Sequence, residues 1–127
     1  MEIMKAAELE AFCPHYHLAV ELIGRRWTGA ILRAMLVSVS RFSELAQTIP
    51  GLSQRMLSER LKELEAEGVV VRSVTPSVPV RVEYHLTEKG QSLGSVIEAV
   101  ARWAEKWADQ PTEGVAVSAS AQPEVES

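Results

Sequence analysis

Residues 51–68, GLSQRMLSERLKELEAEG, combine long hydrogen-bonding side chains with the spacing of a helix. Leucines recur at i, i+4 and i+7 and predict one apolar stripe, formed by Leu57, Leu61 and Leu64. At about 100° per residue, the other side of the helix carries Arg55, Ser58, Glu59 and Lys62. Ser53 is suited to cap the start of this helix, and Gly68 to end it in a left-handed conformation. Arginine side chains presented in this way can form paired hydrogen bonds with bases in the DNA major groove.

A solvated surface helix would show the same pattern, so the neighbouring elements decide between the two interpretations. A short helical pattern and a Pro50-Gly51 turn precede the stretch. Two β-branched segments, 69–74 and 80–86, follow it around a proline-containing loop, 75–79. Helix, turn, helix and two-stranded ribbon is the order of a winged helix-turn-helix, whose second helix enters the major groove. The predicted fold is therefore mainly α with a small β-wing.

The remaining helices supply the core and a candidate interface. One helix begins at Pro14 and a second at about Thr28, and a third, short helix opens at Arg41. Thr87 is expected to cap a long C-terminal helix that runs to about Asp109. Its apolar stripe favours dimerisation, although folding back on its own core or lining a ligand pocket remains open. The dimerisation candidates are Leu93, Ile97, Val100, Trp103 and Trp107.

Composition limits the classes of protein to consider. With 127 residues, one domain is expected, spanning 13–109 between an N-terminal arm, 1–12, and a disordered acidic tail, 110–127. The apolar runs are far shorter than the roughly 20 residues of a membrane span, and residues 1–12 do not resemble a secretion signal. A single cysteine fits a reducing cytoplasm. The net charge is −4, but seven bases and two acids between Arg25 and Lys62 give a local charge of +5.

Several ordered motifs resemble the HxlR-type branch of winged helix-turn-helix bacterial transcriptional regulators, relatives of the MarR group. They are Cys13-Pro14, IGRRWT at 23–28, RFSEL at 41–45, IPGLSQ at 49–54, LSERLKELE at 57–65 and LTEKG at 86–90. The resemblance covers about residues 13–108 and implies a cytoplasmic homodimer on a pseudo-palindromic operator. It makes 53–67 the recognition helix and 75–79 the wing tip. The chain departs from the pattern at Arg25-Arg26, where Gly-Lys is usual, and at Gly29-Ala30, where leucines are usual.

If the chain binds double-stranded DNA, its polar residues divide by chemistry. The first turns of the recognition helix meet base edges, which assigns that role to Ser53, Gln54, Arg55 and Ser58. Four other basic residues are better suited to contact phosphates, namely Arg41, Lys62, Arg72 and Arg81. Glu59 either accepts a hydrogen bond from a cytosine amino group or forms a salt bridge with Arg55 or Lys62.

Cys13 has two interpretations. A free cysteine is commonly a small buried hydrophobe, whereas in some family members an N-terminal cysteine at this place senses oxidants or electrophiles. Arg25 and Arg26 would favour its thiolate if they folded beside it. His15 and His17 do not converge on one ion at i, i+2, and no cofactor or metal is expected.

Other functional classes have less support in the sequence. The chain has no glycine-rich phosphate loop and no nucleophile elbow, so an enzyme is not expected. A winged helix that binds a protein partner, and a regulator responsive to a small molecule or oxidant, are the open alternatives. Arg55, Lys62 and Arg81 favour DNA over the protein partner.

Overall fold

A computed structural model of the chain describes residues 10–109. Its elements in order are α1 Pro14–Ile23, α2 Thr28–Leu36, α3 Phe42–Thr48, α4 Gln54–Ala66, β1 Val70–Thr75, β2 Arg81–Leu86, α5 Glu88–Gln91 and α6 Gly94–Ala108. Two compact units follow each other, the first ending at Gly94 and the second beginning at Ser95. The predicted arm (apart from residues 10–12) and the predicted tail lie outside the described residues.

The core of the first unit forms around α2 and α4. Leu57, Leu61 and Leu64 of α4 are fully buried, as the leucine spacing predicts. Ile31 and Leu32 of α2 are also fully buried. Burial of these side chains stabilises α4 against the rest of the unit and leaves its opposite face for solvent.

The ends of α4 are defined by local chemistry. The Ser53 hydroxyl accepts a hydrogen bond from the Met56 backbone N–H at 3.0 Å, so the predicted cap is present. Gly68 has a φ of 76° and ends the helix in the left-handed region. Gly51, with a φ of 85°, makes the turn between α3 and α4. The two helices of the helix-turn-helix pair, α3 and α4, are therefore joined by a short link of defined backbone conformation.

The two strands form an antiparallel ribbon, the wing. Val70 lies opposite Leu86, Arg72 opposite Tyr84, Val74 opposite Val82, and Thr75 opposite Arg81. The other edge of β2 contacts the segment before α3, since the Tyr84 N–H donates to the Ser40 carbonyl at 2.9 Å. Tyr84 is buried, so one face of the ribbon is anchored in the core.

The C-terminal helix differs from the prediction because it is divided in two. Thr87 caps the short α5, and α6 begins only at Gly94. Gly90 packs so tightly on the Val69 carbonyl and on Leu86 that a Cβ would not fit. The Ser92 hydroxyl then donates to the Lys89 carbonyl at 2.6 Å and competes with regular helix hydrogen bonding.

Two other segments with large apolar side chains, α1 and the start of α2, are incompletely buried. α1 has no buried residue, and its Leu18 is 65% exposed. Trp27 is only half-buried and adopts a φ of 79° at the start of α2, with the Arg26 guanidinium 5.0 Å from its ring. Among the described residues, no helix has the length and apolar character needed to cross a membrane.

Candidate nucleic-acid interface

The first turn of α4 presents the predicted base-contacting residues. Gln54 and Arg55 are exposed, and Ser58 is half-buried one turn later. Ser53 is exposed too, but its hydroxyl already accepts from the Met56 N–H. The hydroxyl keeps a donor hydrogen for a further partner.

An ion pair occupies the exposed side of this turn. Arg55 Nε lies 3.6 Å from Glu59 Oε2, at the i, i+4 spacing. The Arg55 side chain is 89% exposed, so solvent screens the pair and its contribution to stability is small. The salt bridge considered for Glu59 is therefore present, and Arg55 is easily released from it.

Lys62 is exposed farther along α4, whereas Arg60 is not. The Arg60 side chain is 10% exposed, and its Nε donates to the Arg26 carbonyl at 2.9 Å. Its Nη1 donates to Glu63 Oε2 at 2.9 Å, and Arg25 Nε lies 3.3 Å from Glu63 Oε1. Arg60 therefore contributes to the local charge of +5 from inside the fold, and its place at the edge of the leucine stripe is the sequence signal for the inward direction.

The wing arginines lie on opposite faces of the ribbon. Residues paired across an antiparallel ladder point to the same side, so Arg72 shares a face with Tyr84 and Arg81 shares the other with Thr75. Arg81 Nη1 lies 4.0 Å from Glu83 Oε2, and Glu83 Oε1 lies 3.1 Å from His85 Nε2. A single flat surface therefore cannot meet both arginines through the same face of the wing.

Arg41 and Arg81 are brought together although they are 40 positions apart in the sequence. Both line an open groove of about 420 Å³ between the start of α3 and the wing tip. Phe42 and Ser43 line one wall, and the loop through Val78 lines the other. Two arginines that line one open, partly polar groove are suited to a phosphodiester backbone.

Cys13 is half-buried at the start of α1. Its carbonyl accepts from the His17 N–H at 2.9 Å, and no side-chain hydrogen bond caps the helix. The Arg25 guanidinium, considered above as a partner for the thiolate, forms an ion pair with Glu63. In the part of the chain that the structure describes, no group of three or more His, Cys, Asp or Glu residues is positioned to hold a metal.

The dimerisation candidates fall into two environments. Val100, Trp103 and Trp107 of α6 are 58%, 67% and 47% exposed, and Ile97 is half-buried. Leu93 precedes α6 and lines an apolar groove of the first unit with Leu18, Leu22, Ile23 and Val69. Their role in dimerisation stays a prediction.

Comparison with known families identifies the pattern. A family model described as HxlR-like helix-turn-helix matches residues 22–112. The chain is 47% identical over 97 residues to YvaP, an uncharacterised HTH-type transcriptional regulator of Bacillus subtilis (strain 168), covering 76% of this chain and 90% of YvaP. It is 44% identical over 97 residues to YodB, an HTH-type transcriptional regulator of the same organism, covering 76% of this chain and 87% of YodB.

Solved structures of helix-turn-helix transcriptional regulators are also similar to this chain. The reduced form of the transcriptional regulator YodB from B. subtilis aligns with a TM-score of 0.68 and 42% identity, covering 80% of this chain and 99% of that one. The redox regulator HypR in its reduced form aligns with a TM-score of 0.70 and 37% identity, covering 75% of this chain and 94% of that one. The predicted fold class, a mainly α winged helix-turn-helix with a small β-wing, is confirmed.

Proposed function

The chain belongs to the HxlR-like helix-turn-helix family, and we propose that it is a sequence-specific, DNA-binding transcriptional regulator. It acts in the cytoplasm as a homodimer on a pseudo-palindromic operator, with α4 in the major groove and the wing beside the backbone. The observation that carries the proposal is the exposed polar start of α4 on a buried leucine stripe. In helix-turn-helix proteins this part of the second helix contacts base edges.

Base contacts fall to the first turns of α4. Arg55 donates two parallel hydrogen bonds to O6 and N7 of a guanine, and Gln54 pairs with N6 and N7 of an adenine. A good bidentate pair of this kind discriminates against the wrong base by ~1–3 kcal/mol. Ser53 and Ser58 add shorter contacts to the same edges, so the operator preference depends mainly on Arg55 and Gln54.

Basic residues outside the first turn of α4 make the phosphate contacts. Arg41 and Arg81 share one groove, and they bind the same stretch of backbone. Lys62 neutralises a phosphate from α4, and Arg72 contacts one from the other face of the wing. Each such contact adds a nearly constant increment to the salt dependence of binding and carries no sequence preference.

Dimerisation falls to α6. Large apolar side chains spaced by three or four residues along it, Val96, Val100, Trp103 and Trp107, are all exposed in the single chain. An exposed apolar stripe with two tryptophans favours a protein partner, and aromatic side chains are enriched at interface centres. Pairing of two copies presents two α4 helices to half-sites one helical turn of DNA apart.

Response to oxidants through Cys13 is the second part of the proposal. Structures of YodB are described as reduced, diamide-treated and quinone-bound, and HypR is described as a redox regulator. This chain has one cysteine, so a disulfide between two of its own thiols has to join two chains. Two Cys13 thiols then lose two protons and two electrons to diamide, which becomes the hydrazine. An electrophile instead adds to the thiolate of a single chain.

Selection of bound fragments from genomic DNA, followed by footprinting, tests the function. The expected result is one preferred motif with two inverted half-sites about 10 base pairs apart and two protected stretches. Failure to retain any duplex at low salt, while a protein partner is retained, would instead support the protein-interaction alternative. For the sensor, operator affinity is measured with and without diamide for the native chain and for Cys13→Ser. An equal response of both proteins would remove Cys13 from the mechanism.

A further inference from the structure

A buried arginine lies on the inner side of the proposed recognition helix. The Arg60 Nε donates to the Arg26 carbonyl, and its Nη1 donates to Glu63 Oε2, each at 2.9 Å. Arg26 belongs to the segment between α1 and α2, so the first of these bonds ties α4 to the main chain of a different part of the unit. A guanidinium that is 90% buried is costly unless it is paired, and the two bonds pair it with a carbonyl and with a carboxylate of opposite charge.

Arg60 points away from the surface that carries the base contacts. It follows Arg55 by five residues, which turns it by about 140° around the axis and moves it by about 7.5 Å along the helix. Arg55 is exposed and Arg60 is buried, as this angle requires. Arg60 is therefore not available to a DNA phosphate without leaving both of its partners.

The leucine stripe and Arg60 restrain the rotation of α4 in different ways. Hydrophobic burial is non-directional, so the packing of the leucines restrains this rotation without defining any hydrogen-bond geometry. A rotation of about 20° would move a side-chain end about 6 Å from the axis by about 2 Å, enough to break a hydrogen bond. The two bonds of Arg60 are directional and lie at one point on the circumference, so they oppose this rotation.

We propose that Arg60 is a positioning residue for base contact: it fixes the rotation of α4 against the Arg26 main chain, and Glu63 supplies its counter-charge. The proposal rests on the proposed DNA-binding function. Glu63 is also 3.3 Å from Arg25, but the Arg25 side chain is 50% exposed and its ion pair is screened. The buried pair, rather than the exposed one, therefore determines the position of the helix.

The test compares binding to the selected operator and to scrambled duplex at several salt concentrations. Arg60→Lys keeps the charge but loses the planar fork that makes both bonds at once. The expected result is a loss of about tenfold in operator affinity, the size of one misplaced bidentate contact. Affinity for scrambled duplex and the salt slope on it stay unchanged, because no phosphate contact is removed.

Two further variants separate this role from stability and from direct contact. Glu63→Gln removes the counter-charge with little change in shape and is expected to lose operator affinity in the same direction. Arg25→Gln, on the same carboxylate, is the control and is expected to bind like the native chain. Thermal unfolding is measured for all the variants, and their DNA binding is then compared at a temperature where each of them is folded.

Three results would overturn the proposal. One is native discrimination by folded Arg60→Lys and Glu63→Gln. Another is a salt slope on scrambled duplex that falls by about one, which marks a phosphate contact. The third is an equal loss for Arg25→Gln. If the native chain itself does not distinguish operator from scrambled duplex, the proposed function fails instead.

Discussion

Arg55 Nε and Glu59 Oε2 lie 3.6 Å apart on the exposed side of α4, one helical turn from each other. An acid thus lies beside the arginine that we propose binds guanine. Exposed i, i+4 pairs contribute only about 0.3–0.5 kcal/mol, so DNA can separate this one at little cost. The negative charge of Glu59 beside this arginine opposes the approach of DNA phosphates.

Arg55→Ala is expected to reduce operator preference without a general loss of DNA binding. The variant removes two donors to one base, so operator affinity falls by ~1–3 kcal/mol while scrambled duplex is bound nearly as before. Fluorescence anisotropy titrations on both duplexes at fixed salt measure the difference. An equal loss on operator and scrambled DNA would assign Arg55 to a phosphate instead.

Glu59→Gln separates the two roles considered for that residue. If Glu59 only pairs with Arg55, removal of its negative charge strengthens binding to operator and scrambled duplex alike, and we expect this result. If Glu59 accepts from a cytosine amino group, the operator alone is bound more weakly. The same titrations decide between them, and Glu65→Gln, near the other end of α4, serves as a charge-matched control.

Arg41→Ala and Arg81→Ala are expected to behave alike because both residues line one groove. Each should weaken binding to every duplex and lower the slope of log affinity against log salt by about 0.9. Arg33→Ala, which removes an exposed arginine of α2 outside this groove, is the matched control. A loss confined to the operator would show that these residues contact bases.

Local patterns were sufficient to predict much of this fold from sequence. The leucine stripe and Ser53 depend on contacts within one helix turn, and Gly68 on its own backbone freedom, so spacing and residue type predict them. Arg60 could be assigned only in part. Its place at the edge of the leucine stripe indicates the inward direction, but its partner, the Arg26 carbonyl, reaches it only in the folded unit.

The wing and the C-terminal helix show the same limit. Whether Arg72 and Arg81 share a face depends on strand register, and a shift by one residue would reverse it. The division between α5 and α6 falls at Ser92 and Leu93, just after Gly90 packs against Val69, and helical periodicity reveals neither feature. Tertiary contacts therefore decided the features that periodicity left open.

Trp103→Asp is expected to give a monomer that binds the operator weakly. A charge on the exposed apolar stripe of α6 opposes burial between two copies, whereas Trp103→Phe keeps most of the apolar surface. Sedimentation equilibrium and operator titration measure both effects. A Trp103→Asp protein that remains a dimer with native affinity would show that α6 does not form the interface.

Two glycine-to-alanine variants are expected to change stability in opposite directions. At Gly90 a Cβ would overlap the Val69 carbonyl and meet Leu86 Cδ2 at 2.9 Å, so Gly90→Ala should lower the free energy of unfolding by about 1–3 kcal/mol. At Gly29, inside α2, no atom lies within 4 Å of the added Cβ, so Gly29→Ala should raise it by about 0.5 kcal/mol. Urea denaturation followed by circular dichroism measures both. Equal stability of the two variants would mean that α5 does not pack on Val69 as described. Because the Thr87 hydroxyl donates to the Gly68 carbonyl at 2.6 Å, a displaced α5 would also loosen the end of α4, and Gly90→Ala should weaken operator binding as well.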